Sequence, residues 1–217
     1  MTSNASWIAR LLVPLALAGS ACAVSRPPAA PPEQPPAPAP APLSRVGIAD
    51  RAWGSVESAR FSLRIALPER KDWQIEAQRE AWWTARHAGS SSELSVKTWR
   101  TARLSRREDC QKQIALWRPQ APNPAAEPAT VVDRRELDLP AGYRTELVVG
   151  VRRATGGGEI EGYAVAVGHT IGQCYAALYT TRAFGTRAEA TVGERLALFG
   201  DAVLPRIERV GIEERVP

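Results

Sequence analysis

A proline-rich segment near the N-terminus limits which part of the chain can fold. Residues 24–44 contain nine of the 18 prolines in the 217-residue sequence. Proline lacks the backbone N–H that helices and sheets use, and proline-rich chains favour the extended polyproline II conformation, at about 3.1 Å per residue. The sequence therefore predicts a semi-rigid spacer of roughly 60 Å, with the globular part of the protein C-terminal to it.

The residues before the spacer have the order of an export signal. Arg10 precedes a short apolar run, Leu11 to Ala18, and small residues follow as far as Ala23. This order is typical of a secretory signal peptide. The apolar run is too short to cross a bilayer, which takes about 20 residues. We therefore expect an exported protein, and we do not expect nucleic acid among its partners.

Cys22 lies at the end of this signal, directly after small residues. The segment resembles the lipobox of bacterial envelope lipoproteins, in which the cysteine becomes the acylated first residue of the mature chain. That family prefers leucine three residues before the cysteine, where this chain has Gly19, so ordinary cleavage after Ala21 or Ala23 stays an alternative. The resemblance implies lipidation of Cys22 and attachment to a membrane, expected to be the outer membrane on its periplasmic side.

The sequence thus predicts three parts: a signal peptide over 1–21, a lipidated cysteine and tether over 22–44, and one globular domain over 45–217. A chain of that last length can bury its own hydrophobic core. Residues 45–118 carry 15 basic and 9 acidic side chains, a net charge of +6, whereas residues 119–217 carry 11 and 13, a net of −2. The positive excess lies in the first half of the domain.

Apolar periodicity separates strands from helices in this domain. Alternation over 61–67, closed by Pro68, predicts a half-buried strand, and further strands are predicted at 73–78, 81–88, 93–100, 131–139, 147–151, 163–167 and 173–182. Thr155-Gly-Gly-Gly158 is typical of a hairpin loop. Two S/T-x-x-E capping boxes, at Ser105 and Thr186, predict helices that end near Pro119 and Pro205.

These elements predict an α+β fold: an antiparallel sheet of about 6–8 strands with two main helices packed on it. The element order, with four residues between Pro68 and Trp73 in a P-x4-W pattern, resembles the PsbP-like α/β/α sandwich. That resemblance implies a domain that binds or assists assembly rather than one that catalyses. No functional residue of that family has a matching motif here.

Cysteine and histidine are sparse. With Cys22 acylated, Cys110 and Cys174 remain in an oxidising compartment, both on apolar faces, and we expect a disulfide between them. The alternative is a catalytic thiol paired with His87 or His169. Two isolated histidines do not make a zinc-ligand pattern, and Gly156–Gly158 lacks the spacing of a phosphate loop. We expect no cofactor and no metal.

Tryptophan and arginine concentrate in the basic first half. Adjacent Trp82 and Trp83 point to opposite faces of a strand, so one of them is expected to face outward. The candidate binding surface comprises Trp83, Trp99, Arg100, Arg103, Arg106 and Arg107. Aromatic and guanidinium groups together suit an envelope protein or an anionic cell-wall or lipid component; the alternative is that the tryptophans fill the core.

The sequence therefore predicts a tethered envelope lipoprotein with a non-catalytic binding or scaffolding domain. An envelope hydrolase, with a site assembled from dispersed residues, is the alternative, since the scattered carboxylates neither support nor exclude one.

Overall fold

Two antiparallel sheets and two helices make up the part of the chain that the computed structural model describes, residues 52–76, 82–140, 142–153 and 158–210. The predicted signal peptide, Cys22 and the predicted tether lie outside these residues, as do most of the glycines of the predicted 155–158 loop. Within the described residues, no helix has the length and hydropathy to cross a membrane.

Ten strands and two helices have the following bounds. The strands are β1 Trp53–Ser58, β2 Leu63–Pro68, β3 Trp73–Glu76, β4 Trp83–His87, β5 Ser92–Arg100, β6 Val131–Leu137, β7 Arg144–Arg153, β8 Glu159–Thr170, β9 Gln173–Phe184 and β10 Ile207–Arg209. The helices are α1 Arg107–Trp117 and α2 Ala188–Leu198, the latter continued by a π-helical turn over Phe199–Val203.

The larger sheet has seven strands in the order β3-β4-β5-β9-β8-β7-β6, and every neighbouring pair is antiparallel. Two meanders form it, β3 to β5 and β6 to β9, joined where β5 pairs with β9 from Ser92↔Thr181 to Arg100↔Gln173. The predicted α+β class, with an antiparallel sheet of about 6–8 strands and two helices on it, is confirmed.

One face of this sheet is covered by α2 and by a smaller sheet of order β1-β2-β10. The main core lies between them and includes Leu94, Leu147 and Tyr175 from the large sheet and Val192 from α2. A Cβ built on Gly162 of β8 would come within 2.4 Å of Val192. The absence of a side chain at this glycine therefore lets α2 approach the sheet closely.

The other face carries α1, which packs on β8 and β9. Cys110 and Ile114, four residues apart on one side of the helix, are buried there against strand residues that include Val165, Val167 and Cys174. The two helices thus lie on opposite faces of the large sheet, and each face has its own apolar cluster.

The sequence missed the first and last strands. β1 contains Gly54 and two serines and does not alternate cleanly, and β10 has three residues. Both pair with β2, the strand whose alternation was clear. The P-x4-W pattern also has a local cause, because the Trp73 indole N–H donates to the Pro68 carbonyl at 2.9 Å.

Both predicted capping boxes are wrong. α1 begins one residue later than expected, where the Asp109 carboxylate accepts from the backbone N–H of Arg106 at 2.9 Å, and Ser105 bonds to the Thr101 hydroxyl instead. At α2, Thr186 caps nothing, because Arg187 is the N-cap residue and has no side-chain cap. At the start of α1 the acidic residues Glu108 and Asp109 are adjacent, and the sequence does not show which of them accepts from the backbone.

Candidate binding groove on the α1 face

A groove of about 470 Å³ lies between α1, the 121–125 segment and strands β7 and β8. Its floor is apolar and consists of Val148 of β7 with Val165 and Val167 of β8. Ile114 and Ala115 of α1 form one wall. Pockets that hold small ligands have volumes of this order, with apolar linings and a few polar groups.

Charged side chains form the rim of this groove. Arg107 donates to both carboxylate oxygens of Glu136, at 2.6 and 2.7 Å, and Arg134 donates to Glu146 at 3.0 Å. Lys112 has a side chain that is 77% exposed and lies 4.0 Å from Asp109. Four basic and two acidic side chains line the groove. Because carboxylates hold Arg107, Arg118 and Arg134, the exposed ammonium of Lys112 is the group that most favours an anion at the groove mouth.

A second groove, of about 460 Å³, lies on the far side of the 118–122 segment and has a polar lining. Its charges neutralise one another: Arg152 and Arg182 bond to Glu161 at 3.0 and 2.8 Å, and Arg118 lies 3.5 Å from Glu93. These pairs fix the 118–122 segment and the strand ends below it. The first groove, with its apolar floor, is the better ligand site.

Next to α1, aromatic rings enclose a lysine. The Lys97 ammonium lies 4.0 Å from the ring centre of Trp117 and 5.6 Å from that of Trp82. Burial, and then the nearby charge of Arg60, lower the pKa of Lys97 below its ordinary value. Trp99 meets Trp117 edge to face, with ring centres 5.2 Å apart. This cluster holds the C-terminal end of α1 on β5.

Trp83 was wrongly assigned to the binding surface. Its side chain is fully buried in the core under α2, and Trp82 is only 4% exposed on the opposite face. The two indoles do point to opposite faces, as predicted, but neither faces outward. The reason is tertiary, since both faces of the large sheet are covered.

The other predicted surface residues divide into two groups. Trp99 is half-buried, with its indole N–H bonded to Gln113, and Arg107 is neutralised by Glu136. Arg100, Arg103 and Arg106 are exposed around the end of β5 and the start of α1. The structure therefore separates the aromatic part of the predicted surface from its basic part.

The predicted disulfide between Cys110 and Cys174 is present, with the sulfur atoms 2.03 Å apart and both residues fully buried. It joins the first turn of α1 to the start of β9. Because both sulfurs are used in this bond, neither cysteine is a nucleophile, and the catalytic-thiol alternative is wrong for this structure.

The His87 ring is held by hydrogen bonds with Ser90. Its Nδ1 accepts from the backbone N–H of Ser90 at 3.1 Å and lies 2.9 Å from the Ser90 hydroxyl. Glu69, Asp72 and His87 bring potential ligand atoms within 4.8 Å of one another. With Nδ1 accepting, however, a neutral ring carries its proton on Nε2, which is then a donor and not a metal ligand. We assign no metal to this cluster.

His169 lies at the opposite end of the sheet from His87. His169 of β8 is paired with Cys174 of β9. His87 of β4 is paired with Ser92 of β5, and Ser92 is in turn paired with Thr181 of β9. Cys174 and Thr181 are seven residue steps apart along β9, which corresponds to about 23 Å at roughly 3.3 Å per residue. The two histidines therefore cannot act in one site.

Comparison with known proteins finds no family model that matches the chain, and no curated protein matches it. Solved structures with a similar arrangement include the Ran-binding protein Mog1p of Saccharomyces cerevisiae, with a TM-score of 0.46, 10% identity and coverage of 74% of this chain and 97% of that one. They also include LpqN of Mycobacterium tuberculosis, described as involved in cell envelope biogenesis, with a TM-score of 0.40, 10% identity and coverage of 75% and 92%.

A Bacteroides thetaiotaomicron protein is similar at a TM-score of 0.41 and 10% identity, over 72% of this chain. The match spans only 48% of that protein's length. At these values the comparisons assign no function, and the functional argument rests on the groove and on the charged surfaces.

Sequence reasoning did not find the groove. Val148, Val165 and Val167 lie within the predicted strands 147–151 and 163–167, and nothing in the local sequence places α1 beside them. The available signal was that β7 and β8 carry apolar residues on both faces, which indicates a sheet covered on both sides.

Proposed function

We propose that the protein is a membrane-tethered envelope lipoprotein whose domain binds an anionic amphiphile of the envelope and has no catalytic activity of its own. The observation that carries this proposal is the groove beside α1, in which a valine floor is bordered by a rim with more basic than acidic side chains. An apolar chain would lie on the floor, and its anionic group would lie beside Lys112 and Arg134.

The chemistry of the lining supports binding over catalysis. The described residues that line the groove include no serine, threonine, histidine or cysteine. The carboxylate of Glu146 accepts a hydrogen bond from Arg134 at 3.0 Å. General acid–base or nucleophilic catalysis needs a nucleophile within hydrogen-bond reach of a base, and this lining offers no such pair.

Ala115→Trp tests the groove directly. Ala115 is an exposed residue of α1 that lines the groove, so an indole there fills the site without removing a core contact. We expect the wild-type protein to bind a fluorescent fatty acid with micromolar affinity and Ala115→Trp to weaken that binding at least tenfold, with an unchanged melting temperature.

Leu116→Trp is the matched control. Leu116 is the next residue of α1 after Ala115. It is 79% exposed and does not line the groove, so the same new side chain there should leave the affinity unchanged. Equal effects of the two variants, or no fatty-acid binding by the wild type, would contradict the proposal. Hydrolysis of an envelope lipid ester by the purified protein would favour the hydrolase instead.

A further inference from the structure

One end of the large sheet carries exposed arginines that have no carboxylate partner among the described residues. The register places them together, because Arg100 at the end of β5 is opposite Gln173 at the start of β9, and Arg144 at the start of β7 is opposite His169 near the end of β8. The backbone N–H of Thr101 donates to the Gly172 carbonyl at 2.9 Å and fixes the 101–106 loop to the same end.

Many arginines elsewhere in the described residues are held by carboxylates, among them Arg64, Arg86, Arg107, Arg134, Arg152 and Arg182. By contrast, Arg100, Arg103, Arg106 and Arg144 are exposed and make no such pair with the residues that the structure describes. We name the surface formed by these four residues the arginine end.

Few acidic groups offset these charges. Asp109 accepts from the Arg106 backbone N–H and lies beside Lys112, and Glu108 is the adjacent residue of α1. Asp138 follows the end of β6, next to the start of β7. Unlike the arginines in ion pairs, those of the arginine end keep their hydrogen-bond donors for an external anion.

Large apolar side chains project from the same place. Leu104, in the loop between Arg103 and Arg106, is 89% exposed, and Ile171, in the turn between β8 and β9, is 76% exposed. Exposed apolar residues surrounded by arginines form the pattern of a surface that meets lipid head groups, where guanidinium groups bind phosphates and apolar side chains enter the acyl boundary.

We propose that the arginine end docks on an anionic lipid bilayer, with Leu104 and Ile171 entering the head-group layer. The charge complementarity is direct, since an anionic leaflet attracts basic residues near its surface, by about fivefold in affinity for each one. This docking uses neither the groove nor acylation of Cys22, so the proposed function can fail without affecting it.

Vesicle binding of an unacylated chain tests the proposal. The exported Cys22→Ala chain keeps the tether and the domain but cannot carry acyl chains. We expect it to bind vesicles of phosphatidylcholine and phosphatidylglycerol at 3:1 in low salt, and to bind pure phosphatidylcholine vesicles weakly. Half-molar salt should abolish the difference, because the Debye length falls to a few ångströms.

In that background, replacing Arg100, Arg103 and Arg106 by serine should weaken binding on the order of 100-fold. Leu104→Ser with Ile171→Ser should weaken it at least fivefold, with the charge unchanged. The groove variant Ala115→Trp should bind the vesicles normally, which separates this proposal from the proposed function.

The matched control removes three arginines from the opposite end of the sheet: Arg153, Arg182 and Arg187, all exposed. This variant has the same net charge as the triple variant of the arginine end, and we expect it to lose less than fivefold in affinity. Equal losses for the two variants would overturn the proposal, because net charge alone would explain them. Failure of the Cys22→Ala chain, with all its arginines, to bind anionic vesicles, together with binding to an acidic protein, would also overturn the proposal.

Discussion

Removal of the Cys110–Cys174 disulfide is the most direct test of how this fold is held together. The bond connects α1 to β9, and 64 residues separate its ends along the chain. Between them lie β6, β7 and β8, so in the unfolded chain the crosslink restricts the ends of a loop that contains about a third of the domain. The variant of choice is the double alanine, which leaves no free thiol.

The expected magnitude follows from the length of that loop. For 64 residues, the chain-entropy relation gives about 14 cal/mol/K, or about 4 kcal/mol at 25 °C. Both cysteines are fully buried, so the double alanine also loses some packing beyond this value. For a domain of this size each kcal/mol shifts the melting temperature by about 2–4 °C, and we therefore expect a decrease of about 10 °C.

Thermal and urea unfolding of three samples would separate the contributions: oxidised wild type, reduced wild type and the double alanine. Reduction alone should produce most of the loss and should increase the urea m-value, because the reduced unfolded chain exposes more surface. Equal stabilities of the oxidised and reduced wild type would refute the loop argument. Peptide mapping without reductant that finds both thiols free would refute the bond itself.

Three further predictions follow from particular residues. Cys22→Ala should move the protein from the membrane to the soluble fraction in low-detergent fractionation at high salt; sedimentation with membranes under those conditions would contradict acylation. Burial raises the pKa of the Tyr175 and Tyr179 hydroxyls above their ordinary value of 10, so their contribution to stability is fully present below pH 10 and is lost as the pH rises further. The free energy of unfolding should then fall above pH 10, less steeply in Tyr175→Phe with Tyr179→Phe than in the wild type, and equal slopes would count against this cause. Gly162→Ala should destabilise the protein by about 1–3 kcal/mol, because its Cβ would clash with Val192; chemical denaturation measures this, with Gly193→Ala, which has open space around it, as the control.

The local patterns in the sequence account for most of the large sheet. Strict alternation over 61–67 placed β2, because this period is intrinsic to strands, and the helix expected to end near Pro119 is α1, which ends at Trp117. Compartment and apolar position also predicted the Cys110–Cys174 pair. Helix starts were less certain, because neighbouring polar residues such as Ser105 and Arg106 can each be the N-cap residue.

Other features needed the tertiary structure because they depend on residues far apart in sequence. Alternation predicts that adjacent Trp82 and Trp83 point to opposite faces, but only the layers above and below the sheet determine that both are buried. The ion pair of Arg107 with Glu136 spans 29 residues, and no local pattern distinguishes it from the exposed Arg106. The groove forms where α1 and the 121–125 segment come over valines from β7 and β8. Local patterns in the sequence thus determined an α+β domain with an antiparallel sheet, whereas long-range packing decided which of its arginines remain exposed.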